Sequence, residues 1–267
     1  MSEKLLHTVK SFGTQSQHAL VIGDVMLDRY LMGHVGRISP EAPVPIVLVN
    51  AQNERAGGAA NVAANLALLE IQTHLIGCIG DDAEGDSLKK CVSKIGIKTS
   101  NIIISTQRPT IAKTRILGGH QQMLRLDQEN TSVFTDAENR QVLQAIATEL
   151  ALKPSIVILS DYDKGILSDM VCQHIISQCK AQNIPVLVDP KGQDYTKYKG
   201  ASALTPNKKE TAEACATSIE DTQLIEKAAV LKQNLALDFL AVTRGEEGIT
   251  LLDSSQHQID ATALKVF

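Results

Sequence analysis

Unbroken apolar runs set the rhythm of this chain: ALVIG (19–23), THLIGCIG (73–80), SIVILSD (155–161), IPVLVD (184–189), ALT (203–205) and FLAVTRG (239–245). Continuous rather than alternating apolar residues suit strands covered on both faces, so these runs predict a buried, parallel sheet. Helices are predicted between them over 58–69, 83–95, 135–150, 168–183, 208–216 and 221–234. The third opens on Thr135-x-x-Glu138, a capping box in which the two side chains satisfy reciprocal backbone donors. The fourth opens on a Ser168 cap and ends before Asn183-Ile184-Pro185, where proline forces the chain out of helix. Strand, helix, strand is the repeating unit, and right-handed crossovers follow.

Residues 25–51 and 101–127 break that rhythm, reading as short strands with turns, including Gly118-Gly119, and carrying no helix of their own. Both are expected to build one small extra sheet that projects as a lid from a single 1–267 domain. The fold class is therefore α/β, a mainly parallel sheet with helices on both faces plus a small β lid. Val44, Ile46, Val47 and Val49 place β-type apolar residues in that lid, which predicts a homodimer formed through it.

Composition narrows the partners. The 267 residues are 43% hydrophobic and 21% charged, ordinary for a globular domain. Lys and Arg number 26 against 30 Asp and Glu, a net charge of −4, so no basic field recruits nucleic acid or anionic membrane. Cys78, Cys91, Cys172, Cys179 and Cys215 are odd in number and lack CxxC spacing, which points to a reducing compartment without disulfides or zinc. The first twenty residues hold no apolar leader core and no segment approaches a membrane span of about 18 apolar residues, so a cytoplasmic location is expected.

In open parallel sheets ligands bind beyond the carboxyl ends of the strands. Polar residues follow the apolar runs at Asp24, Asp81-Asp82, Asp161 to Gly165, Asp189-Pro190-Lys191-Gly192, Pro206-Asn207 and Thr243-Arg244-Gly245. Asp81, Asp82 and Asp163 are read as turn or cap residues, because Asp favours both. The run AGGAANVA (56–63) opens a helix with paired glycines that let a ligand approach the main chain, and Asn61 adds an amide that needs a partner if buried. It matches neither GxGxxG nor GxxxxGK[ST], which counts against a dinucleotide fold and a P-loop.

AGGAANVA, TPNKKE (205–210) and VTRGEEG (242–248) together resemble the ribokinase-like (PfkB) carbohydrate kinases. VIGDVMLDRY (21–30), GRISPEAPVP (36–45), LSDYDKG (159–165), LVDPKG (187–192) and LTPNKKE (204–210) resemble more closely the kinase domain of bacterial heptose-7-phosphate kinases, often half of a bifunctional kinase and adenylyltransferase. The resemblance covers about 19–267. It implies ATP and Mg²⁺ as cofactors and a heptose 7-phosphate phosphorylated at its 1-hydroxyl, a step toward lipopolysaccharide core. Asp24, Gly57, Gly58 and Asn61 are implied in binding sugar hydroxyls, with Asp28 sharing in this. Arg125 and Lys191 are the candidates for the existing phosphate, Arg125 being equally readable as a lid-surface charge. Asn207 and Glu210 are placed near the phosphates and magnesium, with Glu210 as metal ligand; Thr243 and Gly245 line the nucleotide cleft, and Lys208 and Lys209 complete that run. Asn207 also reads as a helix cap with Glu210 as its partner, and Gly245 as a turn glycine.

The family's base is the Asp of a Gly-Ala-Gly-Asp run, absent from these 267 residues, which close on Leu264-Lys265-Val266-Phe267 about where it would begin. That base is expected beyond Phe267, so the 267 residues are expected to bind sugar but turn over poorly, unless Asp24 or Asp161 takes the proton instead. Rival expectations are a kinase of another sugar or nucleoside, and a sugar-binding or dimerisation module without catalysis.

Overall fold

The apolar runs become strands of a nine-stranded sheet in the computed structural model, which describes residues 18–253 and 258–261. Its members are β1 (His18–Gly23), β4 (Gln72–Gly80), β5 (Ile102–Ser105), β8 (Ile156–Ser160), β9 (Val186–Asp189), β10 (Ala203–Leu204), β11 (Phe239–Thr243), β12 (Ile249–Leu252) and β13 (Gln258–Ala261). The spatial order is β13-β12-β11-β10-β9-β8-β1-β4-β5. All pairings from β11 to β5 are parallel. The last two strands return antiparallel, which the sequence pattern did not predict. Only five residues, 244 to 248, join β11 to β12, and a parallel return needs a crossover of about a dozen or more. The closing run Leu264 to Phe267 lies outside the described residues.

Both faces of the sheet are covered by α1 (Ala59–Leu68), α2 (Ala83–Ser93), α3 (Asp136–Leu150), α4 (Asp169–Ala181), α5 (Lys208–Ala214) and α6 (Leu224–Asn234). Alternation along β1 shows why its run is unbroken. Leu20 and Ile22 join Val142, Ile146 and Val171 of α3 and α4, while Val21 joins Ala59, Ala63 and Leu88 of α1 and α2. Each such fully buried aliphatic side chain contributes roughly 1.5–3 kcal/mol. The helix starts follow their caps: Thr135 and Glu138 form the capping box, Ser168 accepts from Val171 N–H, and Asp82 accepts from Gly85 N–H.

A second sheet of four strands, β2 (Val25–Ile38), β3 (Pro45–Gly58), β6 (Ala112–Gly118) and β7 (Gln121–Gln128), is ordered β3-β2-β6-β7. It differs from the expected lid at two boundaries. The first segment runs on to Gly58, and residues 102–105 pair with β4 in the main sheet, where Ile102 and Ile103 are buried. The tight turn at Gly118-Gly119 is present, with Gly119 at φ 63°.

Candidate functional site

The parallel strands end together, and past their carboxyl ends lies a cavity of about 600 Å³ whose wall includes Asp161, Tyr162, Asp189, Lys191, Asn207 and Glu210. Thr205 and Thr243 complete its floor, and Val62 of α1 closes one side. Short backbone bonds hold these ends in register: Asp161 N–H donates to the Asp189 carbonyl (3.0 Å) and Thr243 N–H to the Pro206 carbonyl (3.0 Å).

Asn207 is both cap and cleft residue. Its Oδ1 accepts from Glu210 N–H (2.9 Å), and Glu210 Oε2 accepts from Asn207 N–H (3.0 Å). The other Glu210 oxygen receives Lys191 Nζ at 3.0 Å. Opposite them, burial pushes the Asp189 carboxyl up to about 6, and the negative charge of Glu210 adds to the rise while Lys191 opposes it. Two carboxylates within reach of each other's charge in one cavity wall fit a divalent cation. Among the described residues no three acidic, His or Cys groups could hold a metal ion alone. The donor set therefore suits Mg²⁺ shared with phosphate oxygens, since that ion commonly uses one or two carboxylates and substrate phosphates.

Asp161 has a different task. Its Oδ2 receives Lys197 Nζ (2.7 Å) and Tyr198 Oη–H (2.7 Å), and its Oδ1 accepts from Asp163 N–H (2.7 Å). The same Tyr198 oxygen accepts from Lys191 N–H (3.2 Å). The buried ion pair thus braces the 189–198 loop against β8.

The lid side corrects several expectations. Asp24 is 4% exposed and does not line the cleft: its Oδ2 accepts from Tyr162 N–H (2.9 Å) and Lys164 N–H (3.2 Å), and its carbonyl receives Ala59 N–H. It fastens the lid hinge to the β8 loop, and burial pushes its carboxyl up to about 6. Asp28, four residues on, is half-buried on the lid, where it receives Arg115. A Cβ on Gly57 would stand 2.4 Å from Asp28 Oδ2, and one on Gly58 would stand 2.3 Å from the Asp24 carbonyl, so both glycines are required by close approach at this junction. Asn61 is exposed in the first turn of α1, so burial does not compel it to find a partner within the chain.

Arg125 lies on the outer strand β7 and grips Asp127 with Nε (2.8 Å) and Nη2 (2.9 Å), as a lid-surface charge would. Lys191 sits with Glu210 on the strand-end side, not with the lid. Lys208 pairs with Glu247 (3.2 Å), Lys209 is 76% exposed beside Glu213, and Gly245 occupies a positive-φ turn; none of the three belongs to the cavity wall.

Two cleft residues had not been assigned a role, Tyr162 and Asp189. Their place directly after apolar runs was the available signal. The Tyr162 phenol is raised by burial and feels Asp189, Asp28, Lys191 and Glu210 together, which locates it between lid and strand ends. Arg115, also unassigned, donates from Nη1 to Asp28 Oδ1 at 2.5 Å; its period-two spacing from Lys113 was the clue to a shared face.

Comparison with known proteins places this geometry in context. The model for "pfkB family carbohydrate kinase" matches residues 16–266. Bifunctional protein HldE of Methylobacillus flagellatus is 57% identical over 271 residues, covering 100% of this chain and 55% of that protein. D-beta-D-heptose 7-phosphate kinase of Bordetella bronchiseptica is 44% identical over 249 residues, covering 93% of this chain and 78% of that one. The chain spans about half the length of the bifunctional relatives it matches. Among solved structures, Arabidopsis thaliana ribokinase complexed with ribose and ATP superposes with a TM-score of 0.67 at 18% identity, covering 93% of this chain and 78% of that one, a likeness of fold.

Proposed function

The chain belongs to the pfkB family of carbohydrate kinases, and from that premise we propose that it binds D-glycero-β-D-manno-heptose 7-phosphate and ATP for phosphoryl transfer to the sugar 1-hydroxyl. Support comes chiefly from the likeness to the bifunctional and heptose 7-phosphate kinases over nearly the whole chain, joined to a cavity at the strand ends whose wall carries Asp161, Asp189, Lys191, Asn207 and Glu210. From the lid side, Asp28 and Asn61 offer the acceptor and amide groups that sugar hydroxyls need, and Gly57 and Gly58 keep the main chain open to them. From the strand ends, Asn207, Glu210, Asp189 and Lys191 face the phosphates, with Thr243 in the floor. Mg²⁺, when bound, would neutralise charge on the phosphoryl group in transit. In the transfer the sugar O1 bonds to the γ-phosphorus, the bond to the β–γ bridging oxygen breaks, and ADP departs. The hydroxyl proton needs a carboxylate base; Asp161 is held by Lys197 and Tyr198, and Asp24 by backbone N–H groups outside the cavity wall.

In this reading the phosphosugar binds from the lid side, and a positioned base contributes about 10²–10⁴-fold to its turnover. Calorimetry against heptose 7-phosphate, fructose 6-phosphate and ribose, with phosphorus NMR for product, tests both statements. Preferred binding of the heptose phosphate supports the assignment; tighter binding of another sugar replaces the substrate.

The lid also carries a surface for a second copy of this chain. Leu124 and Leu126 are more than half exposed and, alternating with Arg125, share one face of the small sheet. A two-fold contact would cover that patch on both copies at once. Sedimentation at tens of micromolar reads a dimer if this is so, and a monomer refutes it. Among the described residues no helix is long and apolar enough to cross a membrane, and with the thiols unpaired a cytoplasmic location is proposed.

A further inference from the structure

The chain leaves the sheet ladder at Asp189 and runs on to a single 3-10 turn, Thr196–Tyr198. That short stretch carries two tyrosines, Tyr195 and Tyr198, which no step of the proposed transfer uses. Tyr195 is 2% exposed and Tyr198 0%, and their rings pack edge to face with centroids 5.7 Å apart. Both belong to the main apolar core, and neither lines the strand-end cavity. A buried hydroxyl is unfavourable unless it is hydrogen-bonded, and phenylalanine would fill much the same space without that cost. What the two hydroxyls touch therefore matters.

Tyr198 Oη gives its proton to the charged acceptor, Asp161 Oδ2 at 2.7 Å, in preference to the Lys191 carbonyl at 3.3 Å. Its lone pairs are then open to the Lys191 N–H, which donates to it at 3.2 Å. Tyr195 Oη donates to the Glu210 carbonyl at 3.4 Å. Each tyrosine thus holds the main chain of one member of the Lys191–Glu210 ion pair, whose side chains meet at 3.0 Å in the cavity wall. Their anchorage is firm, because Asp161 is 3% exposed and receives Lys197 Nζ at 2.7 Å. Burial raises both phenols, so each keeps the proton it donates. The Lys191 side chain is 47% exposed and Gly192 follows in open space at φ 95°, so packing alone restrains this corner weakly.

We infer that Tyr198 and Tyr195 are positioning residues that act through the backbone of Lys191 and Glu210, setting where that pair meets the phosphates and metal of the nucleotide. The inference rests on the reading of the strand ends as the phosphate side of the cleft. It gives the 195–198 turn a task in ligand binding although neither tyrosine opens onto the cavity.

Calorimetry of Mg²⁺ with ADP against the 267-residue chain tests it as a double-mutant cycle, with Tyr198→Phe and Lys191→Met made singly and together. Circular dichroism melting reports the stability of each variant separately. Lys191→Met should weaken nucleotide binding about tenfold or more through loss of charge-assisted bonds. Tyr198→Phe, by freeing the Lys191 N–H, should weaken it about threefold to tenfold by itself and add nothing once Lys191→Met is present. Carbon NMR of the free protein gives a readout that a merely structural tyrosine would leave still. The Lys191 charge holds the Asp189 midpoint down, so Tyr198→Phe should raise that midpoint toward its value in Lys191→Met. Should Tyr198→Phe fail to fold, Tyr195→Phe runs the same calorimetric cycle against Glu210→Gln, with about twofold weakening expected for its longer bond. If Lys191→Met weakens binding while the tyrosine variant does not, or the tyrosine variant weakens it equally in both backgrounds, the inference is overturned and the phosphate reading stands. If Lys191→Met leaves the affinity for Mg²⁺ with ADP unchanged, that reading falls and the inference with it.

Discussion

The two sides of the cleft are built on opposite plans. At the strand ends Asp161 is answered within the chain by Lys197 and Tyr198, and Glu210 by Lys191 and the Asn207 backbone, while Asp189 faces the cleft. On the outer strand of the lid the pairing is more open, Arg125 being half exposed where it grips Asp127. Exposed pairs contribute little to stability and exchange partners readily. The strand ends therefore act as a fixed scaffold for phosphates, and the lid as an adaptable surface that reads the sugar. Substitutions in the scaffold should cost folding, and substitutions in the lid should cost ligand.

The largest effect is expected at Asp161. Its replacement by Ala leaves Lys197 buried without its partner, and breaking a buried pair costs about 3–5 kcal/mol. Urea unfolding measures this, and a loss below about 1 kcal/mol would show that the strand ends are not braced as described.

Asp24 comes next. Its carboxyl is raised to about 6 in the fold by burial, so the folded protein holds a proton that the unfolded chain releases from about pH 4. Stability should thus fall as pH rises from about 4 to 6 and level off above, by on the order of 2–3 kcal/mol. Asp24→Asn should flatten that segment of the profile. Asp189 titrates near 6 for a related reason, yet faces the cleft. Carbon NMR should find that adding Mg²⁺ with ADP lowers the Asp189 midpoint and leaves Asp24 where it was; parallel movement of both would erase the distinction between hinge and cleft carboxylate.

Much of this was legible in the sequence. Unbroken apolar runs located β1, β4, β8, β9 and β11, and the Thr135 and Ser168 caps fixed helix starts to within a residue. Asn207 and Glu210 were expected in the cleft from the family resemblance and as a cap from the residues alone, and the structure places them in both positions, cap and cavity wall. The failures have physical causes. Asp24 and Asp28 both follow the first strand at even spacing, and only distance from the hinge decides which one is buried. Arg115 and Arg125 lie directly opposite each other in the lid, but Asp127 claims the one on the outer strand. Four-residue strands such as β5 and β12 are too short for periodicity to assign them to a sheet or a direction.

A smaller effect belongs to Asn61. Its replacement by Ala should weaken sugar binding by roughly 0.5–1.5 kcal/mol while leaving nucleotide affinity and melting temperature unchanged. Calorimetry with each ligand separates the two, and equal weakening of both would place Asn61 in the scaffold instead.

The division of the cleft is tested most directly by amide NMR of the chain as heptose 7-phosphate is added with Mg²⁺ and ADP already present. The account predicts that the sugar shifts the signals of Asp28, Gly57 and Asn61, while Asn207, Glu210 and Thr243 have already moved with the nucleotide. Sugar-induced shifts confined to Asn207, Glu210 and Thr243, with the lid signals still, would contradict it.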